Sequence, residues 1–127
     1  MYDQYKKSYL IDDDDRNIFA LNTVLSSRGF ECITAESGKE GLDKLIQNDD
    51  IGIALIDMMM PEMDGYQLIK TIRENVNYKS FPLIAVTAQA MIGDKEKCLQ
   101  VGANNYISKP IDVDNLLQMI NYYLAGT

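Results

Sequence analysis

Histidine is absent from this chain, cysteine occurs twice, proline three times, and basic residues are outnumbered by acidic ones, 12 to 19. Without histidine there is no imidazole to complete a zinc set around Cys32 and Cys98, which stand far apart and read as reduced packing residues. The net charge of -7 works against phosphate-backbone contacts, which depend on Lys and Arg displacing counterions, so no direct binding of nucleic acid is expected. No apolar run approaches the roughly 20 residues that a membrane span requires. The amino terminus also lacks the charged-then-apolar order of a secretory signal. A cytoplasmic location, with no membrane insertion by this domain, is the resulting expectation.

What the chain does contain is ordinary for one globular domain: 127 residues, 46% of them hydrophobic and 24% charged, which excludes disorder. The expected organisation is a flexible amino terminus over 1–7, a domain over 8–124 and a short tail over 125–127. Strand and helix patterns alternate along it. Ser8 to Ile11 reads as the first strand. Arg16 to Arg28 carries Ile18, Leu21 and Leu25 at helical spacing, with Gly29 placed to end that helix. Phe30 to Ala35 is the second strand. Ser37-Gly38-Lys39-Glu40 then forms a capping box ahead of Leu42, Leu45 and Ile46 on one helix face.

Ile51 to Ile56 is apolar apart from its glycine and ends at Asp57, above which Pro61 and Gly65 force a loop. Tyr66 to Glu74 presents Ile69 and Ile72, Pro82 to Val86 is the fourth strand, and Asp94 to Val101 is a helix closed by Gly102. Asn105 to Ser108 is the fifth strand. Asp112 caps a last helix to about Leu124, with Leu116, Leu117, Ile120 and Leu124 inward. Alternation of this kind predicts an α/β fold with a parallel sheet covered on both faces.

The chemistry gathers where apolar strands run into polar residues: Leu10-Ile11-Asp12-Asp13, Leu55-Ile56-Asp57, Ala85-Val86-Thr87 and Tyr106-Ile107-Ser108-Lys109-Pro110. Ligands of open α/β sheets bind beyond the carboxyl ends of the strands, so Asp12, Asp13, Asp57, Thr87 and Lys109 are predicted to share one site. Three close, ionised carboxylates would repel by about 10 kcal/mol at an effective dielectric near 20. A hard dication such as Mg2+, held by carboxylates and phosphate oxygens, relieves that repulsion. Asp57 is then placed as an acyl-phosphate acceptor.

These residues carry a resemblance. Leu10-Ile11-Asp12-Asp13-Asp14, the segment from Leu55 to Gly65 (LIDMMMPEMDG), Val86-Thr87-Ala88 and Lys109-Pro110 together resemble the receiver domain of two-component response regulators over about residues 8–124. The resemblance implies a flavodoxin-like, doubly wound (βα)5 fold with strand order 2-1-3-4-5. It implies that Asp57 takes a phosphoryl group from a phosphohistidine on a sensor histidine kinase or a histidine phosphotransfer protein. Asp13 and Asp57 would ligate Mg2+ directly, Asp12 through water, and Met59 through its backbone carbonyl, with Mn2+ or Ca2+ able to substitute. Lys109 would pair with the phosphoryl group, Thr87 and Tyr106 would form the switch, and the Lys109-Pro110 bond would be cis.

Met59 and Gln89, two residues beyond Asp57 and Thr87, would influence water access to the acyl phosphate. Helix four, strand five and helix five would present the surface read by a downstream effector. Such a domain is a signalling module that acts on itself, not a turnover enzyme. Asp15 and Tyr9 depart from the common pattern without touching this chemistry. Thr87-Ala88-Gln89-Ala90-Met91 and the Asp94 to Leu99 segment look most like receivers of hybrid sensor kinases.

Other classes fit less well. A haloacid-dehalogenase-type phosphatase needs a second acid two residues after its nucleophile, where this chain has Met59. A flavodoxin-type electron carrier needs a hydroxyl- and glycine-rich loop where this chain has Asp12 to Asp15. The remaining alternative is a degenerate receiver that binds partners without phosphorylation, which would ordinarily lack Asp57, Thr87 or Lys109.

Overall fold

The computed structural model describes residues 6–88 and 93–124. Its elements in chain order are β1 (Lys7–Ile11), α1 (Asp15–Ser27), β2 (Cys32–Ala35), α2 (Gly38–Gln47), β3 (Ile51–Asp57) and α3 (Gly65–Glu74). A single 3-10 turn (Val76–Tyr78) follows, then β4 (Leu83–Thr87), α4 (Asp94–Val101), β5 (Asn105–Ser108) and α5 (Val113–Leu124). The strands form one parallel sheet in the order β2-β1-β3-β4-β5, the doubly wound arrangement the resemblance implied.

Alternation along the strands divides the core. Tyr9, Ile11, Ala54, Ile56 and Ala85 pack with Leu68, Ile69, Ile72 and Cys98 from α3 and α4 on one face. Leu10, Ile53, Leu55, Ile84 and Val86 pack with Leu25, Leu116 and Ile120 from α1 and α5 on the other. Because both faces are covered, the central strands are apolar almost throughout. Their first polar side chains therefore emerge together at the carboxyl edge.

Local chemistry sets the helix limits. The Asp14 side chain accepts from Arg16 N and starts α1, Ser37 accepts from Glu40 N at α2, and Asp64 accepts from Gln67 N at α3. At the other end of α1, Gly29 adopts a φ of 90°, which glycine tolerates best.

Three expectations are corrected. The first helix begins at Asp15 and ends at Ser27, because Asp14 caps it, which starts the helix one residue earlier, and Arg28 has already left helical geometry. The second strand begins at Cys32, since Phe30 N still donates to Leu25 O and holds Phe30 in the turn after α1. Ile46 faces solvent at 65% exposure instead of joining Leu45 inside. The cause is the glycine edge of α2. A methyl group added at Gly41 would stand 3.0 Å from Ile11 Cδ1, and the Tyr9 hydroxyl donates to Gly41 O at 2.9 Å. The helix thus lies on its glycines, which turns Ile46 outward.

Candidate functional site

At the carboxyl edge, β1 delivers Asp12, β3 delivers Asp57 and β4 delivers Thr87, all buried, while Asp13 stands exposed beside them. Carboxylate oxygens of Asp12, Asp13 and Asp57 all lie within 4.8 Å of one another. The Lys109 ammonium is 3.6 Å from Asp12 Oδ2 and 3.8 Å from Asp57 Oδ1. Lys109 N donates to Thr87 O at 2.8 Å, which ties the turn after β5 to the end of β4. The Lys109–Pro110 peptide is cis.

The two buried carboxylates differ in their support. Asp12 Oδ1 accepts from Asp14 N at 2.9 Å and Oδ2 from Asn17 Nδ2 at 3.4 Å. Asp57 Oδ1 accepts from Met59 N at 3.2 Å. Burial pushes the Asp57 carboxyl up from 3.8 to about 6. The Met59 amide pulls it down, the Asp12 charge adds to the rise, and Lys109 offsets part of it. One monocation shared by a cluster of three acids leaves an excess of negative charge, so a hard cation with oxygen ligands fits the donor set.

The loop above Asp57 is pinned at both ends. Met58 N donates to Val86 O at 2.9 Å and Gly65 N to Met58 O at 3.3 Å. A Cβ on Gly65 would lie 2.6 Å from Met58 Cα and 2.7 Å from Asp57 O, both on main chain that cannot swing aside. Gly65→Ala should therefore destabilise the domain by about 2 kcal/mol and displace Asp57. Urea denaturation and Mg2+ titration of the variant check both effects.

Tyr106 lies lower on β5, registered with Ala85 as Ser108 is with Thr87, so its ring shares a sheet face with the Thr87 side chain. It is half-buried, and Lys95 Nζ of α4 stands 5.9 Å from its ring centroid. Gln89 lies outside the described residues. Two contributors were not found from the sequence. Asn17 supports Asp12 from the first turn of α1, and Gly65 lets α3 approach the acceptor. A polar residue five positions after Asp12 gives no distinctive pattern. Gly65 was visible only as a loop breaker.

Residues 9–121 match the response regulator receiver domain family. The polar-differentiation response regulator DivK of Brucella ovis is 34% identical over 120 residues, covering 94% of this chain and 97% of that protein. DivK of Brucella anthropi matches to the same extent. Among solved structures, chemotaxis protein CheY4 of Vibrio cholerae superposes with a TM-score of 0.86 at 27% identity, covering 94% of this chain and 98% of that one. A CheY-like receiver domain protein from Methanospirillum hungatei gives 0.82 at 30% identity, with 94% and 93% covered.

Proposed function

The chain belongs to the response regulator receiver domain family, and from that premise we propose that Asp57 is its phosphoacceptor, with Asp12, Asp13, Thr87 and Lys109 as the supporting site. The observation that carries this reading is the placement of a buried carboxylate among two other acids and one ammonium at the end of β3. The degenerate-receiver alternative is disfavoured because Asp57, Thr87 and Lys109 are all present.

In the proposed reaction a carboxylate oxygen of Asp57 attacks the phosphorus of a phosphohistidine, the N–P bond breaks, and the imidazole leaves. No separate general base is needed, because the nucleophile is already an anion. Lys109 pairs with the incoming phosphoryl oxygens, and its backbone bond to Thr87 O keeps both residues at the same edge. Asp12, Asp13, Asp57 and the Met59 carbonyl would hold Mg2+. Bound there, the ion neutralises the acids and the charge of the transferring phosphoryl group, and Mn2+ or Ca2+ offer the same oxygen chemistry.

A histidine kinase is the implied phosphodonor, and a histidine phosphotransfer protein would offer the same group; this chain has no histidine to serve. Thr87 and Tyr106, on one sheet face, form the proposed switch, and α4, β5 and α5 the surface an effector reads. The Thr87 to Met91 run supports a likeness to hybrid-kinase receivers, whereas the DivK matches favour single-domain regulators. Among the described residues no helix is long and apolar enough to cross a membrane, and a cytoplasmic site of action suits a kinase partner. The proposed domain spans 8–124, with 1–7 and 125–127 as its flanks, although Lys7 of the first flank already belongs to β1.

Incubation with MgCl2 and acetyl phosphate should give a base-labile mass increase of one phosphoryl group, mapped to Asp57. An unmodified Asp57 under saturating phosphodonor would overturn the proposal in favour of the degenerate receiver.

A further inference from the structure

We propose that Met59 is an oxidative modification site whose sulfoxide shortens the life of the phosphoryl group on Asp57, an inference that rests on the phosphoacceptor reading above. Of the described methionines, Met58 and Met60 are 1% and 6% exposed, and Met63 and Met119 pack against the two cores, whereas Met59 is 69% exposed. Its main chain cannot leave the site. Met59 N is bonded to the Asp57 carboxylate, and the flanking Met58 is held by Val86 O and Gly65 N. Nor can its side chain withdraw inward, because Met58 and Met60 already occupy the core on either side. An accessible thioether is thus held at the rim of the acceptor.

The chemistry balances with hydrogen peroxide as oxidant. A sulfur lone pair takes one peroxide oxygen, the O–O bond breaks, and the remaining hydroxide gains a proton to leave as water. The thioether is oxidised by two electrons to the sulfoxide and the peroxide is reduced. A flexible apolar group becomes a polar one with a strong acceptor oxygen. The thioether offers a nearby water almost no hydrogen bond, whereas the sulfoxide oxygen at this rim accepts one and holds the water beside the acyl phosphate. A water held there attacks phosphorus, the acyl O–P bond breaks, and inorganic phosphate leaves a free Asp57 carboxylate. One added hydrogen bond to the attacking water corresponds to about a fivefold change in rate.

The test uses the whole domain with limiting hydrogen peroxide, peptide mass mapping of every methionine, then acetyl phosphate with MgCl2, donor removal and timed measurement of the adduct. Met59 should oxidise ahead of Met63 and Met119, the adduct half-life should fall about fivefold, and methionine sulfoxide reductase should restore it. In Met59→Leu, which keeps the carbonyl but not the sulfur, the half-life should not respond to peroxide. Oxidation of Met63 or Met119 ahead of Met59, a half-life unchanged or lengthened by the sulfoxide, or an equal response in Met59→Leu overturns the inference. An unoxidised domain that forms no adduct overturns the phosphoacceptor reading and this inference with it. An adduct whose decay ignores oxidation overturns this inference alone.

Discussion

Asp57→Asn is expected to stabilise the metal-free domain at pH 7.5 while abolishing its acyl-phosphate adduct, so that loss of function and gain of stability come from one atom change. The carboxyl titrates near 3.8 in the unfolded chain and about 6 in the fold, chiefly because it is buried. Between those two values the folded state binds more protons than the unfolded one, so stability falls as pH rises through that window. The penalty is absent below 3.8, complete above about 6, and worth about 3 kcal/mol. An amide of the same shape carries no such penalty, and its oxygen can still accept from Met59 N. Urea denaturation in EDTA should therefore show the variant ahead of the parent by about 3 kcal/mol at pH 7.5 and level with it near pH 3.5. Adding MgCl2 should stabilise the parent and close the gap, because the ion binds the folded acids. A variant no more stable than the parent in EDTA would mean that Asp57 is better solvated or better paired than its burial implies.

The same burial explains how much of the site could be read from the sequence. Apolar runs ending abruptly at Asp12, Asp57 and Thr87 are visible because a sheet covered on both faces tolerates polar side chains only at its edge. Lys109 is legible from its place after the fifth strand and beside Pro110, although only Ile107 of that strand is buried. Contacts that depend on close approach or on main-chain partners leave no such trace. Ile46 looked like a core residue because helical spacing alone does not reveal that α2 lies on its glycines. The 3-10 turn at Val76–Tyr78 lies between Glu74 and Pro82, where the sequence pattern assigns no element and the Asn75 side chain accepts from Asn77 N. Arg73 carries no signal of its own in the sequence, yet it donates to Gly102 O and Asn104 Oδ1 at 2.9 and 2.8 Å and also to Tyr78 O. Its partners are a turn carbonyl, a loop carbonyl and a distant amide, which no local pattern brings together. Tyr9, a departure from the common strand pattern, is accommodated because α2 offers its hydroxyl two carbonyls, Gly41 O and Glu40 O.

Lys109→Met separates the two uses of the acidic pocket, because it removes a charge that opposes one and assists the other. The ammonium stands 3.6 Å from Asp12 and 3.8 Å from Asp57, so it competes electrostatically with any dication drawn to those acids. Methionine keeps a stem of similar length without that competition, and Mg2+ affinity should rise. Phosphoryl transfer moves in the other direction. The attacking carboxylate gains a phosphoryl group and about one further negative charge, and Lys109 is the cation already at the strand edge to meet it. A hydrogen bond to a charged group contributes about 1.5–3 kcal/mol, so the rate of Asp57 phosphorylation by acetyl phosphate should fall about 10- to 150-fold. Metal titration and adduct formation measured on the same variant give opposite signs if the ammonium serves the phosphoryl group. If both fall together, the Lys109 side chain is needed to keep Asp12 and Asp57 in place, and the loss is structural.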